Sequence, residues 1–562
     1  MSANDPPATV TVAEYLLRRL SALGVHHLFG VPGDYNLALL DTVLDFPDVD
    51  WVGTANELGA AYAADGYARV RGFGALLTTF GVGELSAANG VAGSYAECVP
   101  LVHVTVGPAQ SAERAGAVVH HTAADGDYDR FARAHAPLVC ASAVLRPDTA
   151  AAEIDRVLTT ALRESRPGYL RLPSDVAAVR VGAPTAPLDP RTETDEESRA
   201  AFRDAARARL AGARDVTVLA DFLAHRHHSR APLARLIETG RLTWSTLSSG
   251  KTVLGEDTPG YAGVYSGALV EPRARRAVDE ADLLIRVGVV LADTTTGGFT
   301  HGFDPETGID VGPRTARVDG KTFERLPMAD ALDVLTALVE GRPGGTPPAP
   351  LAPPRPEAPV PAAPDAPLTQ EHLWDTLAAW TEPGTTVVAE QGTSFFGMCT
   401  RRLPGGATFI AQPLWGSIGY TLPALLGAQL ADPARRGLLL IGDGSAQMTI
   451  QELGTLARRG LTPVIVLVDN DGYTVERAIH GPRAPYNDIA AWDWQAVPAA
   501  LGAPDALVLR ATTPAELTDA LDRARRATDR MVLVQARTGM DDVPELLHRL
   551  AESVRNRNGG QA

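Results

Sequence analysis

Leu438-Leu439-Leu440-Ile441-Gly442-Asp443-Gly444 and Val464-Ile465-Val466-Leu467-Val468-Asp469-Asn470-Asp471-Gly472-Tyr473-Thr474-Val475-Glu476 are the two runs that decide the reading of this chain. Each is an unbroken apolar stretch of strand length that stops at oxygen-bearing side chains. Residues 451–459 between them carry helical spacing, so the unit reads as strand, helix, strand. Such a crossover joins parallel strands and leaves both polar ends on one edge of a sheet. Ligands bind beyond the carboxyl ends of parallel strands, and a helix starting near 445–449 turns free N–H groups and its positive dipole end towards phosphate. Magnesium prefers hard oxygens and shares them with phosphate, so the Asp443 carboxylate, the Asn470 amide oxygen and a carbonyl near Gly472 form half of a coordination shell.

Asp-Gly pairs are common turn formers, and Gly442-Asp443-Gly444 alone reads as a turn. A calcium loop of the EF-hand type needs oxygen ligands at its first, third and fifth positions and glycine at its sixth. Counted from Asp469, the fifth and sixth positions are Tyr473 and Thr474, which excludes it. The pairing of the two ends carries more: Asn470 follows Asp443 by 27 positions and Gly472 stands two further on. That arrangement resembles the thiamine diphosphate motif.

The 562 residues allow about three domains, at ~100–200 residues each. A formal charge of -16 opposes a nucleic-acid surface, which needs clustered cations. Cys98, Cys140 and Cys399 are the only cysteines and are far apart, so neither a disulfide framework nor a zinc site is expected. Residues 1–10 lack a basic start followed by an apolar core, and no run of 18 apolar residues occurs, which predicts a cytoplasmic protein without a membrane span. Lysine occurs only at Lys251 and Lys321, neither in a readable motif, against Schiff-base chemistry. Gly81-Val82-Gly83 invites a dinucleotide site, but Ser86 stands where the third glycine should be.

Pro and Ala dominate residues 343–367, a composition suited to an extended linker. A softer boundary lies at 184–199. The expected architecture is therefore α/β, with three consecutive domains at 1–185, 195–342 and 368–562. Helix-like text at 12–23 and 35–44 alternates in the first block with apolar strands at 27–29, 75–79 and 101–106, and the last block alternates likewise, which predicts parallel sheets covered by helices. Strands are expected at 216–220 and 283–289 in the middle block.

Phe29-Gly30-Val31-Pro32-Gly33-Asp34, Asn56-Glu57-Leu58 and His120-His121-Thr122 stand in the first block; Glu390-Gln391-Gly392-Thr393-Ser394-Phe395-Phe396, Gln412-Pro413-Leu414-Trp415-Gly416-Ser417-Ile418-Gly419 and Tyr473-Thr474-Val475-Glu476-Arg477 stand in the last. Over nearly the whole chain these resemble the pyruvate and indolepyruvate decarboxylase group of thiamine diphosphate enzymes. The last block is most similar to branched-chain and aromatic 2-keto acid decarboxylases. The resemblance implies a thiamine diphosphate-binding fold, with a pyrimidine-binding first domain and a diphosphate-binding last domain. Glu57 would hydrogen-bond N1′ of the aminopyrimidine, a role that calls for a buried carboxyl. Ile418 would be the apolar wedge that bends the cofactor, bringing its amino nitrogen to the thiazolium; such proximity can supply several kcal/mol, up to ~7–11.

By the same resemblance Gln391, Gly392 and Thr393 contact the cofactor, as does Ser417 beside Ile418. Gly442, Asp443, Gly444 and Ser445 cradle the diphosphate with Asn470, Gly472, Tyr473 and Thr474, and Asp443, Asn470 and Gly472 hold Mg2+. Protons would be handled by Asp34, His120, His121 and Glu476, with Asp34 and His121 acting as a pair and Glu476 at the carboxylate of the adduct. His26-His27 and His227-His228 are also adjacent pairs, so His120-His121 stands on its flanking text. Thr295, Phe395, Phe396, Val475 and Leu550 match positions that line the substrate pocket. A phenylalanine at 395, where relatives that favour indolepyruvate carry a smaller residue, implies a medium apolar pocket for branched-chain or phenylalanine-derived 2-keto acids.

The family implies a homodimer or homotetramer with each active site between subunits, Glu57 from one and Asp443 from the other. Its yeast members respond to substrate through a cysteine in the middle domain; this chain has none between 190 and 340. A C-terminal helix over 543–555 could close over the site. Pyruvate or indolepyruvate as substrate, a carboligase of the acetolactate synthase type, and a non-catalytic sensor or scaffold on the same fold are the alternatives.

Overall fold

A computed structural model describes residues 8–270, 272–340 and 363–559, with side chains to 555. The expected linker, 343–367, lies outside the described residues as far as 362. Strand β1 (Thr9–Thr11) leads into α1 (Val12–Ala22), which opens on a capping box: Thr11 Oγ1 accepts from Glu14 N–H and the Glu14 carboxylate accepts from Thr11 N–H. Strands β2 (His27–Gly30), β3 (Asp50–Gly53), β4 (Gly74–Thr79), β5 (Leu101–Gly107), β6 (Ala141–Val144) and β7 (Gly168–Pro173) form a parallel sheet in the order β3-β2-β4-β5-β7-β6. β4, β5 and β7 are buried at every residue, as strands covered on both faces must be. β8 (Arg180–Gly182) returns antiparallel to β1.

The helix expected over 35–44 is split. Asp34–Asn36 is a 3-10 turn and α2 is Leu37–Asp45, because the Asn36 side chain accepts from Gly33 N–H and tightens the first turn. α3 (Glu57–Arg71) is capped by Asn56, whose side chain accepts from Gly59 N–H at 2.7 Å, and α4 is Val82–Ala96. A Cβ on Gly66 would meet Ala424 O at 2.0 Å, and one on Gly427 would meet Ala63 O at 1.8 Å. α3 and the helix Thr421–Ala431 therefore pack backbone to backbone, with no room for a side chain at either glycine.

A second sheet contains β9 (Val216–Ala220), β10 (Thr243–Leu247), β11 (Tyr261–Tyr265), β12 (Leu283–Val287), β13 (Ile309–Val311), β14 (Ala316–Val318) and β15 (Lys321–Phe323), in the order β11-β10-β9-β12-β13-β14-β15. Its β13-β14-β15 edge is antiparallel, and Asp319-Gly320 between β14 and β15 both take positive φ, the turn that suits a tight hairpin. β12 stops at Val287 rather than 289 because Gly288 turns away at φ +64°. Lys251, buried, donates to Glu256 Oε1 at 2.7 Å and to Arg401 O at 2.6 Å, a contact absent from any linear motif.

The third sheet, also parallel throughout, contains β16 (Thr386–Ala389), β17 (Thr408–Ile410), β18 (Gly437–Gly442), β19 (Val464–Asp469), β20 (Leu507–Ala511) and β21 (Val532–Arg537), ordered β17-β16-β18-β19-β21-β20. The two opening runs are thus adjacent central strands. The helix expected to start near 445–449 begins slightly earlier, at Asp443, directly from the strand end and runs to Thr449, and the helical text over 451–459 is the helix Glu452–Arg458. The C-terminal helix is Glu545–Gly559. Among the described residues no helix is long and apolar enough to cross a membrane.

Two compact units divide the chain. One comprises 1–191, 420–434 and 449–461; the other comprises 192–419, 435–448 and 462–562.

Candidate active site

Asp443 follows β18 and is almost wholly buried. Its Oδ1 accepts from Gly444 N–H at 2.7 Å, and its Oδ2 accepts from the N–H groups of Asn470 at 3.1 Å and Gly472 at 3.2 Å. The Asn470 amide oxygen lies 3.2 Å from Asp443 Oδ1 and 3.1 Å from Gly472 O, while its nitrogen lies 3.0 Å from Thr474 Oγ1. Thr474 Oγ1 donates to Met540 O, so its lone pairs are free to accept from the amide. The Asn470 oxygen thus faces two other acceptors across gaps without a hydrogen.

The inverted amide would donate to both acceptors, the arrangement expected without a metal; the oxygen-inward one is what a cation requires. Oxygens ~2.0–2.1 Å from Mg2+ in an octahedron stand about 3 Å apart, close to the spacings here. Burial pushes the Asp443 carboxyl up to about 7, and the Asp469 charge adds to this against the three N–H donors. A buried carboxylate of this kind calls for a counter-cation, and the donor set fits Mg2+.

These residues line a cavity of about 220 Å³. Gln391, Gly392 and Thr393 form part of its wall, as do Ile418, Gly442, Gly444, Ser445, Tyr473 and Thr474. Gln391 Oε1 is buried there with no partner among the described residues, an acceptor suited to a ligand's donor. Phe396, Val475 and Glu476 line the same cavity, whereas Ser417, Thr295, Phe395 and Leu550 do not. Phe395 is fully buried in an apolar cluster with Phe396, Cys399 and Leu547, and Leu550 packs against that cluster. Thr295 is buried, its hydroxyl donating to Ala292 O. Adjacent residues on a helix point about 100° apart, so in Thr393–Met398 only Phe396 of the aromatic pair reaches the cavity.

The other unit carries Asp34, Glu57, His120 and His121. Asp34 Oδ2 lies 2.6 Å from His120 Nε2, so the aspartate pairs with the first histidine rather than with His121. Tyr35 stacks on His120 with centroids 4.8 Å apart, and His121 lies edge-on to His120 at 4.7 Å. His121 takes φ +62°, and its buried Nδ1 has no partner among the described residues.

Glu57 opens α3 and is half-buried. Its Oε1 would lie 3.2 Å from a Cβ on Gly83, so a glycine there makes room for the carboxyl. A second carboxyl stands near the start of α3. Glu452 Oε1 accepts from Ala55 N–H at 2.9 Å and its Oε2 from Thr455 Oγ1 at 2.7 Å, and burial raises its pKa. In sequence Glu452 looks like any first-turn glutamate of a helix. Glu452→Ala removes the acceptor of the Ala55 N–H, two residues before Glu57, and the partner of the Thr455 hydroxyl, so it is expected to lower unfolding stability by about 0.5–1.5 kcal/mol in urea titration and to lower kcat as well. Unchanged stability would leave this bridge without structural weight.

Residues 10–129 match the family described as thiamine pyrophosphate enzyme, N-terminal TPP binding domain; 203–338 match its central domain and 392–536 its C-terminal TPP binding domain. The alpha-keto-acid decarboxylase of Mycolicibacterium paratuberculosis is 51% identical over 98% of this chain and 97% of its own length. Those of Mycobacterium tuberculosis and Mycobacterium leprae are each 48% identical, over 98% and 99% of this chain and 98% of their own lengths. Among solved structures, the Rhodococcus jostii RHA1 thiamine diphosphate-dependent 4-hydroxybenzoylformate decarboxylase superposes with a TM-score of 0.76 at 22% identity, covering 95% of this chain and 100% of that one, a likeness of fold. All three matched segments occur in family order, and relatives about half identical align from end to end; the chain belongs to the thiamine pyrophosphate enzyme family.

Proposed function

We propose that this chain is a thiamine diphosphate- and magnesium-dependent decarboxylase that converts a 2-keto acid to an aldehyde and carbon dioxide without oxidation. The observation that carries the reading is one cavity whose walls include the buried Asp443 carboxylate beside Asn470 and Gly472, the unpartnered Gln391 acceptor and Glu476. The relatives named as alpha-keto-acid decarboxylases support it.

Asp443, Asn470 and the Gly472 carbonyl would hold Mg2+, and the backbone at 442–445 would face the diphosphate. When bound, the cofactor supplies the electron sink for the bond to the departing carboxylate. Ile418, in the cavity wall, would present an apolar surface to it. Glu57 would hold a proton at the pyrimidine N1′. Glu476, exposed at the cavity wall, would orient the substrate carboxylate and protect or donate the proton that follows, with the Asp34-His120-His121 group passing protons at the aldehyde oxygen.

The cavity is small against the ~300–1,000 Å³ usual for a site that encloses a ligand. This supports a site completed by a second copy, in a homodimer or homotetramer.

Branched-chain or aromatic 2-keto acids, such as 4-methyl-2-oxopentanoate or phenylpyruvate, are the proposed substrates, bounded by Phe396 and Val475. Phe396→Ala is expected to shift relative kcat/KM towards bulkier acids by at least about 10-fold, since a single methylene in an apolar pocket is already worth about 10–200-fold. Phe395→Ala, acting in the packed cluster, is expected instead to cost about 3–5 kcal/mol of stability. Equal ratios for indolepyruvate and 4-methyl-2-oxopentanoate in wild type and Phe396→Ala would contradict the assignment.

The deciding experiment is a panel of 2-keto acids assayed for aldehyde and carbon dioxide with thiamine diphosphate and Mg2+ supplied. Acyloin as the main product would indicate a carboligase, and cofactor binding without gas release would indicate a sensor.

A further inference from the structure

We propose that Glu84 is a positioning residue for this reaction: its buried carboxyl fixes the 79–83 turn, against which both Glu57 and His121 are seated. The inference rests on the decarboxylase reading. Glu84 lies in the first turn of α4 and is wholly buried. Its Oε1 accepts from Gly81 N–H at 2.8 Å and its Oε2 from the Tyr169 hydroxyl at 2.7 Å. Neither contact belongs to the site described above, yet both ends of the turn do.

Gly81 has φ +64°, and a Cβ on it would come within 2.0 Å of His121 O and 3.2 Å of the Phe131 ring. The bare Gly81 backbone is therefore the seat of the His121 peptide. Gly83, two residues on, is the glycine beside Glu57 Oε1. A movement of this turn by a fraction of an ångström displaces the acid at one end and the histidine at the other. Glu84 is the side chain that ties it to the sheet, through Tyr169 on β7.

The groups facing Glu84 come from three elements. Tyr169 and Arg171 stand on β7, and His135, at 3.8 Å from Oε2, ends the helix Arg130–His135. His103 on β5 lies behind them, its ring 5.6 Å from Tyr169 and 5.2 Å from His135. Burial pushes the Glu84 carboxyl up to about 7, with the Tyr169 hydroxyl, the Gly81 N–H and Arg171 pulling the other way. Burial lowers the pKa of His103 and His135, away from their charged forms, and Arg171 is the permanent cation facing a carboxyl whose two hydrogen-bond partners, Gly81 N–H and the Tyr169 hydroxyl, are neutral. Glutamine is therefore a close replacement: its oxygen can accept from Gly81 N–H and its amide can donate to Tyr169.

The test compares Glu84→Ala with Glu84→Gln in the full-length protein loaded with thiamine diphosphate and Mg2+. Glu84→Ala is expected to lower kcat by about 10- to 100-fold, the scale of a sub-ångström to 1 Å misplacement, with KM within about threefold. Deuterium uptake should rise in 54–58 and 117–124. Glu84→Gln should restore kcat and both uptake patterns to near wild type. Should Glu84→Ala fail to fold, Tyr169→Phe, which removes only one hydroxyl, should show a smaller loss of kcat and faster uptake in the same two segments. A Glu84→Ala enzyme with wild-type kcat, a change read in KM alone, or a glutamine variant no better than alanine would overturn the proposal. If the wild type releases no carbon dioxide from any 2-keto acid, the reading of the reaction falls; the uptake patterns still decide whether Glu84 seats these two segments.

Discussion

Glu57→Gln is expected to lower kcat for 2-keto acid decarboxylation by about 10²- to 10⁴-fold, the range that a positioned proton carrier contributes. The substitution is nearly isosteric. Asn56 still caps α3 through Gly59 N–H, and Glu452 still accepts from Ala55 N–H, so the local fold has no reason to change. What glutamine lacks is an exchangeable acid proton at Oε1, the atom for which Gly83 leaves room. Steady-state kinetics at saturating cofactor, with the thermal midpoint as a control on folding, measures the effect. A kcat within about tenfold of wild type, with the midpoint unchanged, would remove Glu57 from the chemistry.

Asp443→Asn should leave two opposite signatures in one protein. Mg2+-dependent binding of thiamine diphosphate is expected to weaken by at least about 100-fold, beyond the 10–100-fold typical of groups that merely support a metal ligand. Calorimetric titration measures it. The cofactor-free variant should nevertheless be the more stable protein above neutral pH. A carboxyl whose pKa is 3.8 when unfolded and about 7 when buried holds its stabilising proton fully below 3.8 and loses that stability as pH rises to 7. Asparagine has no proton to lose. The stability difference between variant and wild type should thus appear from about pH 4 upwards and level off above 7, while the wild type's Mg2+ affinity strengthens over the same interval. A variant that binds cofactor as well as wild type does would refute the assignment of Asp443.

The two substitutions also test how sites are shared. If each site takes Glu57 from one chain and Asp443 from its partner, a mixed dimer of the two variants has one site with both lesions and one with neither. An equal, re-equilibrated mixture should recover about a quarter of wild-type activity. No recovery would place both residues in the same chain's site.

The strands were legible because parallel sheets buried on both faces leave continuous apolar text, as at Leu438 to Ile441 and Val464 to Val468. Their ligand ends were legible because Asp443 and Asn470 are spaced by one crossover. Packing direction was not: Phe395 and Phe396 are chemically identical, and one residue of helix rotation decides which meets the cavity. The pairing of Asp34 with His120 rather than His121 is set by how distant segments come together, which linear text does not carry. Glu84 and Glu452 were missed for a different reason. A glutamate in the first turn of a helix is ordinarily a solvent-facing group that suits the dipole, and only the tertiary structure shows that these two are buried. The β13-β14-β15 edge carried a signal in Asp319-Gly320 that went unread.

The back-to-back contact of Gly66 and Gly427 sets an order on synthesis. The first sheet is complete in sequence by Pro173, but the helix Thr421–Ala431 that packs on α3 at Gly66, and the Glu452 bridge, arrive later. At about 5–20 residues per second, a ribosome takes on the order of 10–60 s to deliver them. Through that interval Ala63 and Gly66 of the nascent chain await the helix that packs on them. A chain ended after residue 191 would lack both contacts, and it is expected to unfold at a lower urea concentration than the full-length protein.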